Sequence, residues 1–213
     1  MAEGLRERKK RQTRQYISDV ATGLFLERGF DGVTVAEVAD AANVSVNTVY
    51  NYFPAKEDLF LDRSAGAVDR LARWVRGRAK GESAAVAVLR ELREEVEAVS
   101  PRLGLAAGVA RFMQVVDEAP ALRSRLWAIG QEALGNLAEA LREETGAPPE
   151  DPLPGLVAGQ INWVHQTVVS AIAREMMAGR NPDEVSREIL VLLDDIEDLL
   201  SRKVLNYAVR AVG

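Results

Sequence analysis

TVAEVADAANVSVNTVYNYFPAKEDL, residues 34–59, reads as a short helix, a tight turn and a second short helix. Thr34 and Glu37 form an S/T-x-x-E capping box, in which each side chain satisfies the other residue's backbone amide and opens a helix. Val35, Val38, Ala39 and Ala42 give that helix one apolar face, and the two alanines let another helix come close. Asn43 tolerates the left-handed backbone that the turn requires, and Val44 plugs the turn into the core. Ser45 caps the second helix, which places Val49 and Phe53 underneath and Val46, Asn47, Thr48, Asn51 and Tyr52 outward, until Pro54 stops it. The ring of Tyr50 stays divided between core and contact, since it follows Val49 and precedes Phe53 by three.

Upstream, a first helix is expected from Thr13, whose hydroxyl can cap it, to Gly29, which suits a helix exit at positive φ. Ile17, Val20, Ala21, Leu24 and Phe25 share its core face at three- and four-residue steps. Three helices with a turn of this kind make a helix-turn-helix, and short polar or methyl-bearing groups near a helix start are what reach base edges in a major groove.

A net charge of -5 over 213 residues argues superficially against a nucleic-acid partner. Charge acts locally, however, and residues 1–56 carry eight Lys/Arg against seven Asp/Glu while the remainder carries nineteen against twenty-five. In the leading arm Arg6, Arg8, Lys9, Lys10, Arg11 and Arg14 face only Glu3 and Glu7. A basic run by itself is more often a solvated tail; beside a groove-reading motif it becomes a candidate backbone contact. The chain has no cysteine, so disulfides, thiol chemistry and Cys-type zinc sites are excluded. It also shows no secretory leader and no apolar run near the roughly 20 residues that a membrane span needs, so a soluble, cytoplasmic protein is expected.

Across about residues 8–60 the sequence resembles the DNA-binding domain of the TetR family of bacterial regulators. The resemblance runs through LFLERGF at Leu24–Phe30, TVAEVADAANVS at Thr34–Ser45 and TVYNYFPAKEDLF at Thr48–Phe60. It departs at Asn43, where the family commonly has glycine, and at Tyr52, where it often has histidine. It implies that Val46, Asn47 and Thr48 are the base-facing positions, that Tyr50 and Tyr52 touch backbone or base, and that Thr34 and Lys56 approach phosphates; Ser45 and Asn51 are further DNA-contact candidates, since residues 45–52 as a whole would enter the groove. Arg11 and Arg14 of the arm would steady the backbone. It implies further a homodimer on a palindromic operator, built from a four-helix bundle of two C-terminal helices per subunit, and a repressor released by a small, largely apolar effector.

The expected fold is all-α. A helix-turn-helix domain with its basic arm (1–55) is joined through a fourth helix, 56–81, to a larger helical effector-binding and dimerisation domain (56–213). Further helices are expected at 83–99, 101–116, 120–145, 153–178 and 182–211, between breaks at Pro101, Pro120, the 146–155 loop and Gly179–Pro182. Long apolar stripes run through Val157, Ile161, Val164, Val168, Ala171 and Ile172, and through Val185, Ile189, Leu192, Leu193, Ile196, Leu199 and Leu200. Periodicity alone favours packing within the chain, and the resemblance points to a partner subunit.

Trp74, Phe112, Met113, Trp127 and Trp163 are the large side chains able to line an effector cavity, with Arg111, Gln131, Asn162 and His165 as polar anchors. Each more often serves core, interface or surface. A single histidine without cysteine leaves no metal-ligand spacing, the Asp194–Asp198 acids read as a solvated helix face, and neither a nucleophile beside a base nor a phosphate-cradling loop is present. No catalysis and no cofactor are expected. Two other classes stay open on the residues alone: an architectural DNA-binding protein without effector, and a helical small-molecule binding protein with a vestigial reading head.

Overall fold

The structure, a computed structural model, describes residues 4–211, leaving aside the side chains of 63–65; Glu3, counted with the basic arm, lies outside them. The order is α1 (Leu5–Arg28), α2 (Val35–Ala41), α3 (Val46–Tyr52), α4 (Lys56–Phe60), α5 (Arg70–Gly77), α6 (Ala84–Glu97), α7 (Val109–Glu118), α8 (Pro120–Thr145), α9 (Leu153–Met177), α10 (Pro182–Leu199) and α11 (Arg202–Leu205). All regular structure among the described residues is helical.

The chain divides into two compact units. The first runs to Ala65 and takes in Gln114–Trp127; the second comprises Gly66–Met113 and everything from Ala128. In the first unit α1 packs on α2 and α4, and α2 on α3. Its centre is Phe25, 5.1 Å from Phe30 and edge-on to Phe60 at 5.7 Å, with Ile17, Ala21, Val38, Val49 and Phe53 buried around it. In the second unit the stripes of α9 and α10 pack on each other and on α6, where Val88, Leu92 and Val96 complete the core. Those stripes therefore close the chain's own interior, except at Leu199, which is 77% exposed at the end of α10.

Four expected boundaries are corrected. The first helix begins at Leu5, because the Arg-, Lys- and Gln-rich arm favours helix and meets no breaker before Gly4; the Thr13 hydroxyl donates to Lys9 O at 3.0 Å inside the helix instead of capping it. The expected helix 56–81 is broken: α4 ends at Phe60, a 3-10 segment covers Asp62–Ala67, and α5 starts at Arg70. Ser64 and Gly66 lower helix propensity there. Within 101–116, Gly104 and Gly108 sit at φ 92° and 86°, so a 3-10 turn at Pro101–Leu103 precedes α7. The last helix stops at Leu199, and Ser201 caps the short α11. The tail beyond it is tied down by the buried Arg78, which donates to Ala208 O at 2.9 Å and pairs with Glu144 at 2.8 Å.

Candidate nucleic-acid interface

Local signals build the reading helix as expected. Glu37 N donates to Thr34 Oγ1 at 3.2 Å and Thr34 N to Glu37 Oε2 at 2.8 Å, closing the capping box. Arg28 also donates to Glu37 at 2.6 Å, and with the bonds from Thr34 it holds the carboxyl down to about 2. Asn43 adopts φ 53° at the turn. Thr48 N then donates to Ser45 Oγ at 3.0 Å, starting α3.

Below α3, Val49 and Phe53 are 0% and 1% exposed. Above it, Val46, Asn47, Tyr50 and Asn51 are exposed, so Tyr50, at 49%, stands outward. Thr48 is half-buried, and its hydroxyl shares a 2.8 Å hydrogen bond with the Ser45 hydroxyl, so the N-terminal end of the face has its two hydroxyls committed to each other. Tyr52 is half-buried against Phe53, its ring 6.5 Å away.

Two cations expected at phosphates have partners inside the protein. Lys56 Nζ donates to Phe30 O at 2.6 Å and lies 4.2 Å over the Phe30 ring and 5.6 Å over Phe25. Burial lowers its pKa, opposed chiefly by the charge of Asp31. Arg14 donates to Tyr52 O at 2.7 Å and to Asp62 Oδ1 at 2.8 Å, with its guanidinium 4.5 Å over Phe53. Arg6, Arg8, Lys9, Lys10 and Arg11 are exposed along the first turns of α1, and Thr34 is exposed at the start of α2. Sequence reasoning missed Asp62 and the pair of Arg125 with Asp58 at 2.9 Å, which fastens the Gln114–Trp127 segment within this unit. A signal for Arg14 existed: 14, 17, 21 and 25 fall on one helical stripe whose other members are buried.

The candidate effector residues scatter. Trp74 is half-buried and edge-on to His165, ring centroids 6.5 Å apart. Burial, and secondarily the charge of Arg70, pushes the His165 imidazole down to about 4. Both of its ring nitrogens, and Oδ1 of Asn162 one turn earlier, are buried without a protein hydrogen-bond partner. Arg111, Phe112 and Met113 are half-buried, whereas Gln131 is exposed. Trp127 is exposed and belongs to the first unit. A hollow of about 520 Å³ in the second unit is an open dish lined by Asp194, Glu197, Asp198 and Arg202 with Leu200 and Leu205, and its acidic rim is unsuited to an apolar molecule.

Trp163 is 45% exposed and falls in line with Leu156 at 63% and Met177 at 45%, seven and fourteen residues apart on one side of α9. Val191 and Leu199 are the exposed apolar residues of α10. Among the described residues no cluster of His, Asp and Glu has the makings of a metal site, and no helix is long and apolar enough to cross a membrane.

Residues 17–62 match the family model described as bacterial regulatory proteins, tetR family. The HTH-type transcriptional regulator TcmR of Streptomyces glaucescens is 30% identical over 156 residues, which is 70% of this chain and 67% of TcmR. Among solved structures, NalD, the secondary repressor of the MexAB-OprM multidrug efflux pump in Pseudomonas aeruginosa, superposes with a TM-score of 0.54 at 19% identity, covering 87% of this chain and 96% of NalD. The transcriptional regulator FadR from Bacillus subtilis in complex with stearoyl-CoA gives 0.50 at 21% identity, over 84% and 96% of the two chains. At these identities the structural likeness is one of fold.

Proposed function

Since the chain belongs to the TetR family, whose members are DNA-binding transcriptional regulators and not enzymes, we propose that it is a homodimeric, sequence-specific, cytoplasmic repressor released by a small, largely apolar effector. The observation that carries the DNA reading is the outer face of α3: Val46, Asn47, Tyr50 and Asn51 stand in solvent on a floor of fully buried Val49 and Phe53. A rigid base of that kind holds amide and methyl groups at the depth of base edges, while the exposed cations of the arm neutralise phosphates.

Two such helices must sit about 34 Å apart to enter successive major grooves, which requires a second subunit. The partner's surface is the outer side of α9 with the outer side of α10. Leu156, Trp163 and Met177 at heptad intervals, with Val191 and Leu199, offer the apolar anchors that a symmetric bundle buries.

Effector binding belongs to the second unit, around Trp74, Asn162 and His165. The imidazole is neutral near pH 7 and offers one donor and one acceptor, while Asn162 Oδ1 offers an acceptor. A fitting effector is therefore apolar over most of its surface and brings a hydroxyl or amide N–H. It lowers DNA affinity only as far as it binds the released shape more tightly than the DNA-bound one.

The test is selection of bound fragments from genomic DNA followed by a gel shift. Replacing Asn47 should change which sequence is preferred, whereas removing the charges of Arg8 and Lys9 should weaken binding to all sequences alike and flatten the salt dependence. Equal binding to selected and random duplexes would remove the sequence-specific reading.

A further inference from the structure

We propose that Arg14 and Asp62 form a positioning pair for the reading helix, and that Arg14 is not a phosphate ligand. The proposal rests on the DNA-reading role of α3 and adds the residues that set its pose. α3 has seven residues, so its last carbonyls, without partners inside the helix, make up a large share of its backbone. Tyr52 is its final residue, and Arg14 Nη1 donates to that carbonyl at 2.7 Å. A guanidinium at this end also meets the negative pole of the helix.

The rest of the arginine faces the same way. Its Nε and Nη2 both reach Asp62 Oδ1 at 2.8 Å, and its plane covers the ring of Phe53, the residue that anchors α3 in the core. The Asp62 carboxylate is only 10% exposed. One planar fork thus serves a carbonyl, a carboxylate and a ring, a combination that the point charge of a lysine cannot reproduce. Asp62 is also the first residue of the 3-10 segment Asp62–Ala67, by which the chain leaves the first unit for the second. The guanidinium that ends α3 therefore holds the start of that exit, so a displacement of the exit segment is felt at the reading helix through one side chain.

The two roles for Arg14 predict opposite signs. A phosphate-binding arginine would be freed by Asp62→Asn, which also removes a negative charge, so DNA affinity would rise. A positioning pair would be broken by the same change, so affinity for the preferred sequence would fall. The experiment uses the full-length protein, a duplex selected from genomic DNA by the wild type, a random duplex of equal length, and anisotropy titrations between about 50 and 200 mM salt. Asp62→Asn and Arg14→Ala should each lower affinity for the selected duplex about tenfold and leave the random duplex and the salt slope unchanged; Arg14→Lys should not restore the loss.

A rise or no change in affinity for Asp62→Asn overturns the proposal, as does a salt slope reduced by about one for Arg14→Ala. Thermal unfolding checks that both variants fold, and the nearly isosteric Asp62→Asn decides the matter if Arg14→Ala does not. A wild type that selects no sequence would sink the DNA-reading function itself, a result distinct from these.

Discussion

Helices α3 and α9 dispose of their polar and apolar side chains in opposite ways. α3 turns Asn47, Tyr50 and Asn51 to solvent over a sealed floor, and the polar groups beneath and beside it are paired: Ser18 with Leu59 O, Arg14 with Tyr52 O, Lys56 with Phe30 O. α9 holds Asn162 and His165 inside with unpartnered atoms and sets Leu156, Trp163 and Met177 outside. Buried polar groups normally find partners, and apolar residues aligned on an exposed helix face mark contact surfaces. Among the described residues the buried polar groups of the first unit thus have partners, whereas the second keeps buried polar atoms without one and an aligned apolar face in solvent, the pattern that the proposed effector binding and dimerisation call for.

The sharpest way to break this contrast is to hollow the first unit. Phe25 is fully buried against Phe30, Phe60 and the Lys56 ammonium. Phe25→Ala should cost about 4 kcal/mol through lost transfer energy and the cavity left behind. Hydrogen exchange should show that loss in α1–α4, with α9 and α10 keeping their protection. Equal loss in both would mean that the units unfold as one.

A second test concerns the imidazole. Its pKa in the folded protein, about 4, lies below the ordinary 6.5, so below pH 6.5 the unfolded chain binds more protons than the folded one. Its contribution is complete above pH 6.5 and is lost as pH falls toward 4, by up to about 3 kcal/mol. His165→Phe should remove that component from the stability profile measured between pH 7 and 4, leaving the part due to carboxylates. A profile that does not differ between the two proteins would show that the imidazole keeps an ordinary pKa.

Next in size is the outer face of α9. Trp163→Asp places a charge in the middle of the apolar line, and the dimer should weaken by about 2 kcal/mol or more, read as a raised dissociation constant in sedimentation. A dimer indifferent to Trp163→Asp would move the interface elsewhere.

What could be read in advance follows how far each interaction reaches along the chain. The capping box, the left-handed Asn43, the Ser45 cap and the stop at Pro54 are settled within a few residues, so the bounds of α3 were legible, although Thr48 and Tyr52, expected outward, are half-buried. Arg14 and Asp62 meet across 48 residues; stripe position hinted that Arg14 points inward, but nothing local named its partner. The break after Phe60 escaped because one glycine and one serine lower helix propensity without forbidding a helix, and a helix-forming arm extended α1 past a plausible cap at Thr13. On α9 the continuous stripe announced a core, while the outer face did not register because three apolar residues spread over about six turns look like scatter. A tryptophan suits pocket and seam equally, so Trp163 was grouped with the effector residues, and only its exposure separates it from Trp74.

The smallest effect probes whether the internal pairing of the first unit is a matter of stability or of shape. Ser45→Ala removes the acceptor for Thr48 N and the hydroxyl that engages Thr48 Oγ1, which should cost about 1 kcal/mol, within the usual range for a lost helix cap. That is small against a domain's total, so the protein should fold and dimerise as before. Its DNA affinity should fall by more than its stability suggests, because α3 has only two turns and the cap fixes where Val46 and Asn47 begin. Comparing the shift in unfolding temperature with the loss of binding to the selected duplex separates the two. A parallel, modest loss in both would mean that the floor of Val49 and Phe53 alone sets the pose of the helix.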